Sequence, residues 1–226
     1  MSPLNRPVVR RMLTLFAVLP LIVLCAGCSD FWVSDSSIQT VTVSPTAVIL
    51  RADATTPDTY TLSSSSLTVG GTTATDTTTA KWTSSNTAAV TAASDGVITA
   101  TAAVGTATVT ATDGGVGGTC AVYTYTGTAP SSLTVTATGF SSGATVTAGT
   151  YQLHAFLGSS TTEVTNYVSW TTSNSTGATI STTGLLTVLS VSTSATVTIT
   201  AQANLGAPAG TAIPTAPEGT LQFTAD

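Results

Sequence analysis

The side chains able to do chemistry in this 226-residue chain are few: one histidine, three cysteines and ten carboxylates among abundant serine and threonine hydroxyls. His154 sits in Leu153-His-Ala-Phe156, a run whose strand context suggests a structural position. A Ser-His-Asp relay needs a base held beside a nucleophile, and only the abundance of hydroxyls points that way. A hydrolase would therefore require His154 to lie exposed beside a hydroxyl and a carboxylate. Histidine and cysteine do not occur at zinc-site spacings, and the scattered aspartates do not compose a calcium loop. Phosphate-cradling glycine loops are missing too. Asp95 and Asp113, each followed by glycine, read as turn formers. The expectation is a protein with no catalytic residues, no metal and no cofactor.

The remaining chemistry is in the thiols, and Cys28 is the one set in a recognisable context. Arg6, Arg10 and Arg11 precede an apolar run over residues 12–24, followed by small residues. That is the order of charge, apolar segment and cleavage site in a secretory signal, and the run is too short for an ordinary membrane span. The stretch Leu24-Cys-Ala-Gly-Cys28 resembles the lipobox of bacterial lipoproteins, with the small pair Ala26-Gly27 before the modified cysteine. Cys25 stands where that box usually has an aliphatic residue, and Leu24 lies one position earlier. The resemblance implies a lipoprotein signal peptide over residues 1–27, lipid attachment at Cys28 and a membrane partner reached through that lipid. The alternative is an ordinary cleaved signal or an uncleaved anchor, with Cys28 a neighbouring thiol. Each buried methylene contributes about 0.8 kcal/mol, so two or more acyl chains hold a protein at a membrane lastingly. Ser29 resembles the residue found there in lipoproteins forwarded to the outer membrane of Gram-negative cells. Phe31 and Trp32 could rest at headgroup level or be disordered, and residues 28–37 read as a tether.

With Cys25 removed and Cys28 acylated, Cys120 has no disulfide partner. Its neighbours Gly118-Thr-Cys-Ala-Val122 read as strand, which makes it a small buried apolar residue. Beyond Cys28 only Arg51 and Lys81 are basic, against ten carboxylates, a net charge of −8. Nucleic acid is excluded as a partner, because phosphate binding needs clustered Lys and Arg.

The elements that hold these residues come in two copies. Trp82-Thr-Ser-Ser-Asn86 returns as Trp170-Thr-Thr-Ser-Asn174, an offset of 88 residues. Gly96-Val-Ile-Thr99 returns as Gly184-Leu-Leu-Thr187, and Ala107-Thr-Val-Thr110 as Ala195-Thr-Val-Thr198, all without a gap. Self-similarity at this period means two copies of one folding unit, expected over residues 38–127 and 132–226 with a linker at 128–131. Period-two alternation bounded by Gly, Pro, Asn and Asp predicts strands at 38–43, 59–64, 79–83, 88–91, 97–101, 105–112 and 118–125 in the first copy. Seven short strands read as an all-β fold, two tandem immunoglobulin-like antiparallel β-sandwiches. Trp82, on the third strand, is expected between the sheets, where truncation to alanine costs about 3–5 kcal/mol. Pro45 suits an edge where the strand kinks.

Val41-Thr-Val-Ser-Pro45, Trp82–Asn86, Ala89-Val90, Asp95-Gly-Val-Ile-Thr-Ala100 and Gly105-Thr-Ala-Thr-Val-Thr-Ala111 resemble a bacterial Ig-like group 2 domain, of the invasin and intimin type. The resemblance implies a stalk or adhesive module of a surface protein, without shared catalytic residues. The second copy departs at residues 204–219, a long Ala/Gly stretch carrying Pro208, Pro214 and Pro217 where the first copy needs only residues 113–117. Strand parity places this loop at the joint between the copies, where it is expected to act as a buttress. Phe140, between Gly139 and Ser141 at the far pole, is either a recognition residue or a ring folded under its own loop. The function expected is a lipid-anchored adhesion, interaction or structural module in the cell envelope, with an unidentified protein or glycan ligand. A carbohydrate-binding module is the alternative, and Tyr123, Tyr125, Tyr151 and Tyr167 are its candidate contacts.

Overall fold

Threonine alternating with small or branched apolar residues is what builds the sheets. In Gly105–Asp113, Ala107, Val109 and Ala111 are buried, whereas Thr106 and Thr108 are exposed. In Glu218–Ala225, Leu221, Phe223 and Ala225 point inward between exposed Thr220 and Gln222. The computed structural model describes residues 37–53, 55–71, 73–75, 80–158 and 161–226. The signal, Cys28, Phe31 and Trp32 lie outside them.

The first sandwich comprises β1 (Ile38–Ser44), β2 (Ala47–Arg51), β3 (Asp58–Thr61), β4 (Ser63–Thr68), β5 (Thr73–Thr75), β6 (Lys81–Ser84), β7 (Val90–Ala92), β8 (Val97–Ala100), β9 (Gly105–Asp113) and β10 (Val116–Tyr125). The second comprises β11 (Leu133–Ala137), β12 (Thr145–Val146), β13 (Gly149–Leu157), a 3₁₀ turn (Thr165–Tyr167), β14 (Ser169–Thr172), β15 (Ala178–Ile180), β16 (Leu185–Val188), β17 (Ala195–Gln202), β18 (Ala207–Pro208) and β19 (Glu218–Ala225). In the first, the sheet β2-β10-β9-β6 faces β1-β4-β5 and β3-β8-β7. In the second, β12-β19-β17-β14 faces β11-β13-β16-β15. Pairing is antiparallel except where β2 runs parallel to β10 and β12 to β19. These are immunoglobulin-like sandwiches.

Among the differences from the sequence expectation, three bear on the joint or on the repeat. Residues 47–51 form a strand that alternation did not reveal. The chain leaves the β1 sheet at Pro45, after a cis peptide bond, and joins the opposite sheet as β2. Ala47 to Leu50 are all buried because both faces are covered: Val48 and Leu50 enter the first core and Ile49 enters the second. A strand covered on both faces reads as a continuous apolar run. The expected strand 59–64 divides at Leu62 and continues to Thr68 through four serines. Ser66 is buried there, and its hydroxyl donates to Asp113 Oδ2 at 2.6 Å.

The third difference concerns the repeat. The 88-residue offset holds through Gly96 and Gly184, which have φ of 82° and 75°. A Cβ on either would come within 2.6 Å of the carbonyl of Leu62 or Leu153. In the next strand Trp82 pairs with Ala111 but Trp170 pairs with Ala201, a spacing of 29 against 31. The ungapped match of Ala107–Thr110 to Ala195–Thr198 is therefore two residues out of structural register. A shift of two keeps every side chain on its own face, so polarity alone does not expose it. The tryptophans differ as well. Trp82 is 6% exposed in the first core. Trp170 is only half-buried, and its Nε1 donates to Thr165 O at 3.0 Å.

Candidate functional site at the joint of the sandwiches

Residues 204–208 of the long loop lie along the open side of the first sandwich and bond to strands of both its sheets. On β2, Ile49 N donates to Asn204 O at 2.9 Å and Gly206 N donates to Ile49 O at 3.0 Å. Asn204 Nδ2 donates to Ala47 O at 3.0 Å. On the opposite sheet, β18 extends the edge at β3, pairing Ala207 with Thr59 and Pro208 with Asp58. Thr59 Oγ1 donates to Ala207 O at 3.1 Å. The loop is thus a strap that caps exposed strand edges, a frequent fate of otherwise unpaired backbone. Leu205 is 2% exposed and shares the second core with Ile49 and Tyr125 of the first sandwich.

Gly206 is favoured by close approach. A Cβ there would collide with Leu50 Cδ2 and lie 2.8 Å from Thr59 O. Of the three prolines singled out in this loop, Pro208 is in the strap, Pro217 is buried at the loop's return and Pro214 is exposed. Ala203 N donates to Pro217 O at 3.1 Å, closing the loop base. The residues that make the joint, Ile49, Asn204, Leu205 and Gly206, carried only a faint signal: the unbroken apolar run of β2, and a leucine next to a glycine.

Charge beneath the strap is paired. Asp58, 4% exposed, accepts from Arg51 N at 2.9 Å, and the Arg51 guanidinium stands 3.7 Å from its other oxygen. Burial, then the Asp58 carboxylate, pushes the Tyr125 hydroxyl up to about 12, partly opposed by Arg51.

Two clefts, each of about 460 Å³, open at the joint. Outward residues of β10 line both in succession, and the 3₁₀ turn contacts β10 and β2. One cleft is formed by Tyr123, Tyr125 and Val104 with the linker and with Leu157, Gly158 and Thr162. The other is walled by Thr119, Ala121, Asn166, Thr182 and Thr183 among others, with no aromatic ring among the described residues that line it. Tyr123 packs on Tyr167 with ring centroids 5.5 Å apart, so three of the four tyrosines considered as glycan contacts gather here. Tyr151 does not. Its hydroxyl donates to Thr147 O at 3.0 Å, and its ring meets Phe140 edge-on at 5.2 Å. Phe140 also lies 5.4 Å from Phe223, so its half-buried ring is seated on its own sandwich.

His154 lies on the outward face of β13. Its Nδ1 is 2.8 Å from Glu163 Oε1 and its Nε2 is 3.4 Å from Thr138 Oγ1. Thr165 Oγ1 donates to the same Glu163 oxygen at 2.7 Å, and this bond, then the one from His154, holds the carboxyl below its usual range. Sequence spacing gave no hint of this line of hydroxyl, imidazole and carboxylate, because Thr138, His154 and Glu163 come from three separate segments. Neither joint cleft includes any of them. Cys120 is fully buried, and burial pushes its thiol up to about 12. Among the described residues, no group of three or more His, Cys, Asp or Glu could hold a metal ion, and no helix is long and apolar enough to cross a membrane.

No family model matches the chain, and no curated protein matches it. Among solved structures it is similar to domains 5–6 of the S-layer protein SbsC, at 17% identity and a TM-score of 0.35, over 82% of this chain and 97% of that one. It is similar to a C-terminal 282-residue fragment of intimin, crystallised with the intimin-binding domain of its translocated receptor, at 16% identity and a TM-score of 0.26, over 82% and 63%. A SusE-like surface located polysaccharide binding protein from the Bacteroides thetaiotaomicron heparin utilisation locus gives 15% identity and a TM-score of 0.27, over 83% and 33%. Scores this low carry no functional inference.

Proposed function

We propose that this chain is a lipid-anchored envelope protein whose two Ig-like sandwiches act as one stiff, non-catalytic module for adhesion, interaction or structure at the bacterial cell surface. The observation that carries the reading is the strap, which joins both sheets of the first sandwich to the second. Domain interfaces within a chain normally permit relative motion unless they are extensive and apolar. Here backbone pairing at Ile49 and Thr59 and a shared core at Ile49, Leu205 and Tyr125 oppose it. A stiff unit on a lipid tether at Cys28 suits presentation of a surface at fixed geometry. The composition supports the same reading, since charge is sparse and threonine or serine occupies many outward strand positions.

Catalysis fits poorly. Thr138, His154 and Glu163 stand on an outward sheet face and line neither joint cleft, whereas acyl transfer needs a site that excludes water and orients the reacting group. Their geometry serves instead to tie β11, β13 and the segment before the 3₁₀ turn.

The test combines two readouts on cells expressing the protein. Mass spectrometry of the envelope fraction should find an N-terminal peptide beginning at acylated Cys28, and an unmodified peptide starting elsewhere refutes the anchor. Protease added to intact cells should remove the sandwiches, and full protection would place them behind the outer membrane.

A further inference from the structure

We propose that the cleft beside Tyr123 is a binding site for a neutral oligosaccharide. The proposal rests on the reading of the chain as a stiff surface module and names the ligand class for it. The walls come from both sandwiches: Tyr123, Tyr125 and Val104 from the first, Leu157, Gly158 and Thr162 from the second. A space of about 460 Å³ falls within the range of small-ligand sites.

The lining chemistry selects the ligand. Every lining residue among the described ones is neutral: they include no Lys or Arg to hold a phosphate, sulfate or uronate, and no Asp or Glu to hold a cation. The negative charge of the chain beyond Cys28 further disfavours an anionic glycan. What the cleft does offer is the Tyr123 ring together with the hydroxyls of Thr126 and Thr128. A tyrosine presents an apolar body and a polar edge, matching a pyranose, whose C–H faces are apolar and whose rim is hydroxylated. Hydroxyls can both donate to and accept from such a rim. A purely apolar ligand would leave these groups unpaired, which costs binding.

Preorganisation adds to the argument. Tyr123 is held by Tyr167 at 5.5 Å, and the strap fixes the two walls relative to each other. A ring already ordered does not lose its rotamer freedom on binding. The second joint cleft has the same volume but no ring among the described residues that line it, so it provides an internal comparison.

The experiment titrates the intact acylated chain, in a sugar-free detergent, with maltohexaose, cellohexaose, laminarihexaose and chitohexaose by calorimetry. A heparin-derived hexasaccharide is the charged comparison. At least one neutral hexasaccharide should bind with a Kd below about 1 mM, and the sulfated one should not. Tyr123→Ala should weaken binding at least tenfold. Val104→Glu, at a residue 53% exposed and therefore tolerated by the fold, should do the same by placing a carboxylate at the cleft mouth. Asn166→Ala in the ring-free cleft should leave binding within twofold. Absence of binding to all four neutral probes, preference for the sulfated one, or indifference to both Tyr123→Ala and Val104→Glu overturns the proposal. Small-angle scattering on the same sample separates the failures. An intact stiff profile without binding refutes the cleft alone, whereas a loose profile refutes the stiff module too.

Discussion

Adding one methyl at Gly206 tests whether the strap holds the joint. In Gly206→Ala the new Cβ would collide with Leu50 Cδ2 while lying 2.8 Å from Thr59 O and 3.1 Å from Asp58 Cβ. Two responses compete. The strap can stay seated and absorb the overpacking, which costs about 1–3 kcal/mol. It can instead lift away, losing the bonds Ile49 N to Asn204 O, Gly206 N to Ile49 O, Asn204 Nδ2 to Ala47 O and Thr59 Oγ1 to Ala207 O. At about 0.5–1.5 kcal/mol net for each, those bonds total about 2–6 kcal/mol. Exposure of Leu205 adds about 1.5–3 kcal/mol. Seating under strain is the cheaper course, so Gly206→Ala should destabilise by about 1–3 kcal/mol without opening the joint. Gly206→Leu exceeds what the site can absorb and should release the strap. Urea unfolding followed by tryptophan fluorescence reads both sandwiches, because Trp82 lies in the first and Trp170 in the second. Gly206→Leu should split one transition into two. Ile213→Ala, at a residue of the same loop that is 56% exposed, should change stability by less than about 0.5 kcal/mol. A Gly206→Ala variant as stable as Ile213→Ala would refute the reasoning.

The tryptophans of the repeated motif should separate: Trp82→Ala is expected to cost about 3–5 kcal/mol, and Trp170→Ala less, because that ring is half-buried; equal midpoint shifts in urea would contradict this. Cys120, with its thiol pushed up to about 12, should resist iodoacetamide at pH 8 in the native state and react once unfolded. Asp53 accepts from Thr55 N and Thr56 N at 2.8 and 3.1 Å, and these backbone bonds, first that of Thr55, bring its carboxyl down from 3.8 to about 2. A folded-state value below the unfolded one means its contribution is present above about 3.8 and is lost as pH falls towards 2. Asp53→Asn should therefore flatten the acid limb of stability in that window, and an unchanged limb would remove Asp53 from the account.

The sandwich architecture was legible because threonine-rich strands covered on one face alternate, and alternation is visible in the order of residues. β2 was not legible for the opposite reason, since the second sandwich covers its outer face and erases the polar half of the pattern. The place of the loop at the joint followed from strand parity. Which of its residues work there did not: prolines draw attention, yet Asn204, Leu205 and Gly206 make the contacts beside Pro208, while Pro214 is exposed. The two-residue slip after Gly184 was hidden because a period-two pattern is unchanged by it. The grouping of Thr138, His154 and Glu163 depends on the pairing of β11 with β13 and on the bridge from Phe156 to Glu163, contacts that no local motif announces.

The most direct test of the central claim, that the strap makes the two sandwiches one stiff unit, is the measurement of residual dipolar couplings for backbone amides in both sandwiches of the intact chain. The account predicts that a single alignment tensor fits the amides of β9 and β10 together with those of β17 and β19. Two tensors of different magnitude, one for each sandwich, would mean that the sandwiches reorient independently and would contradict it.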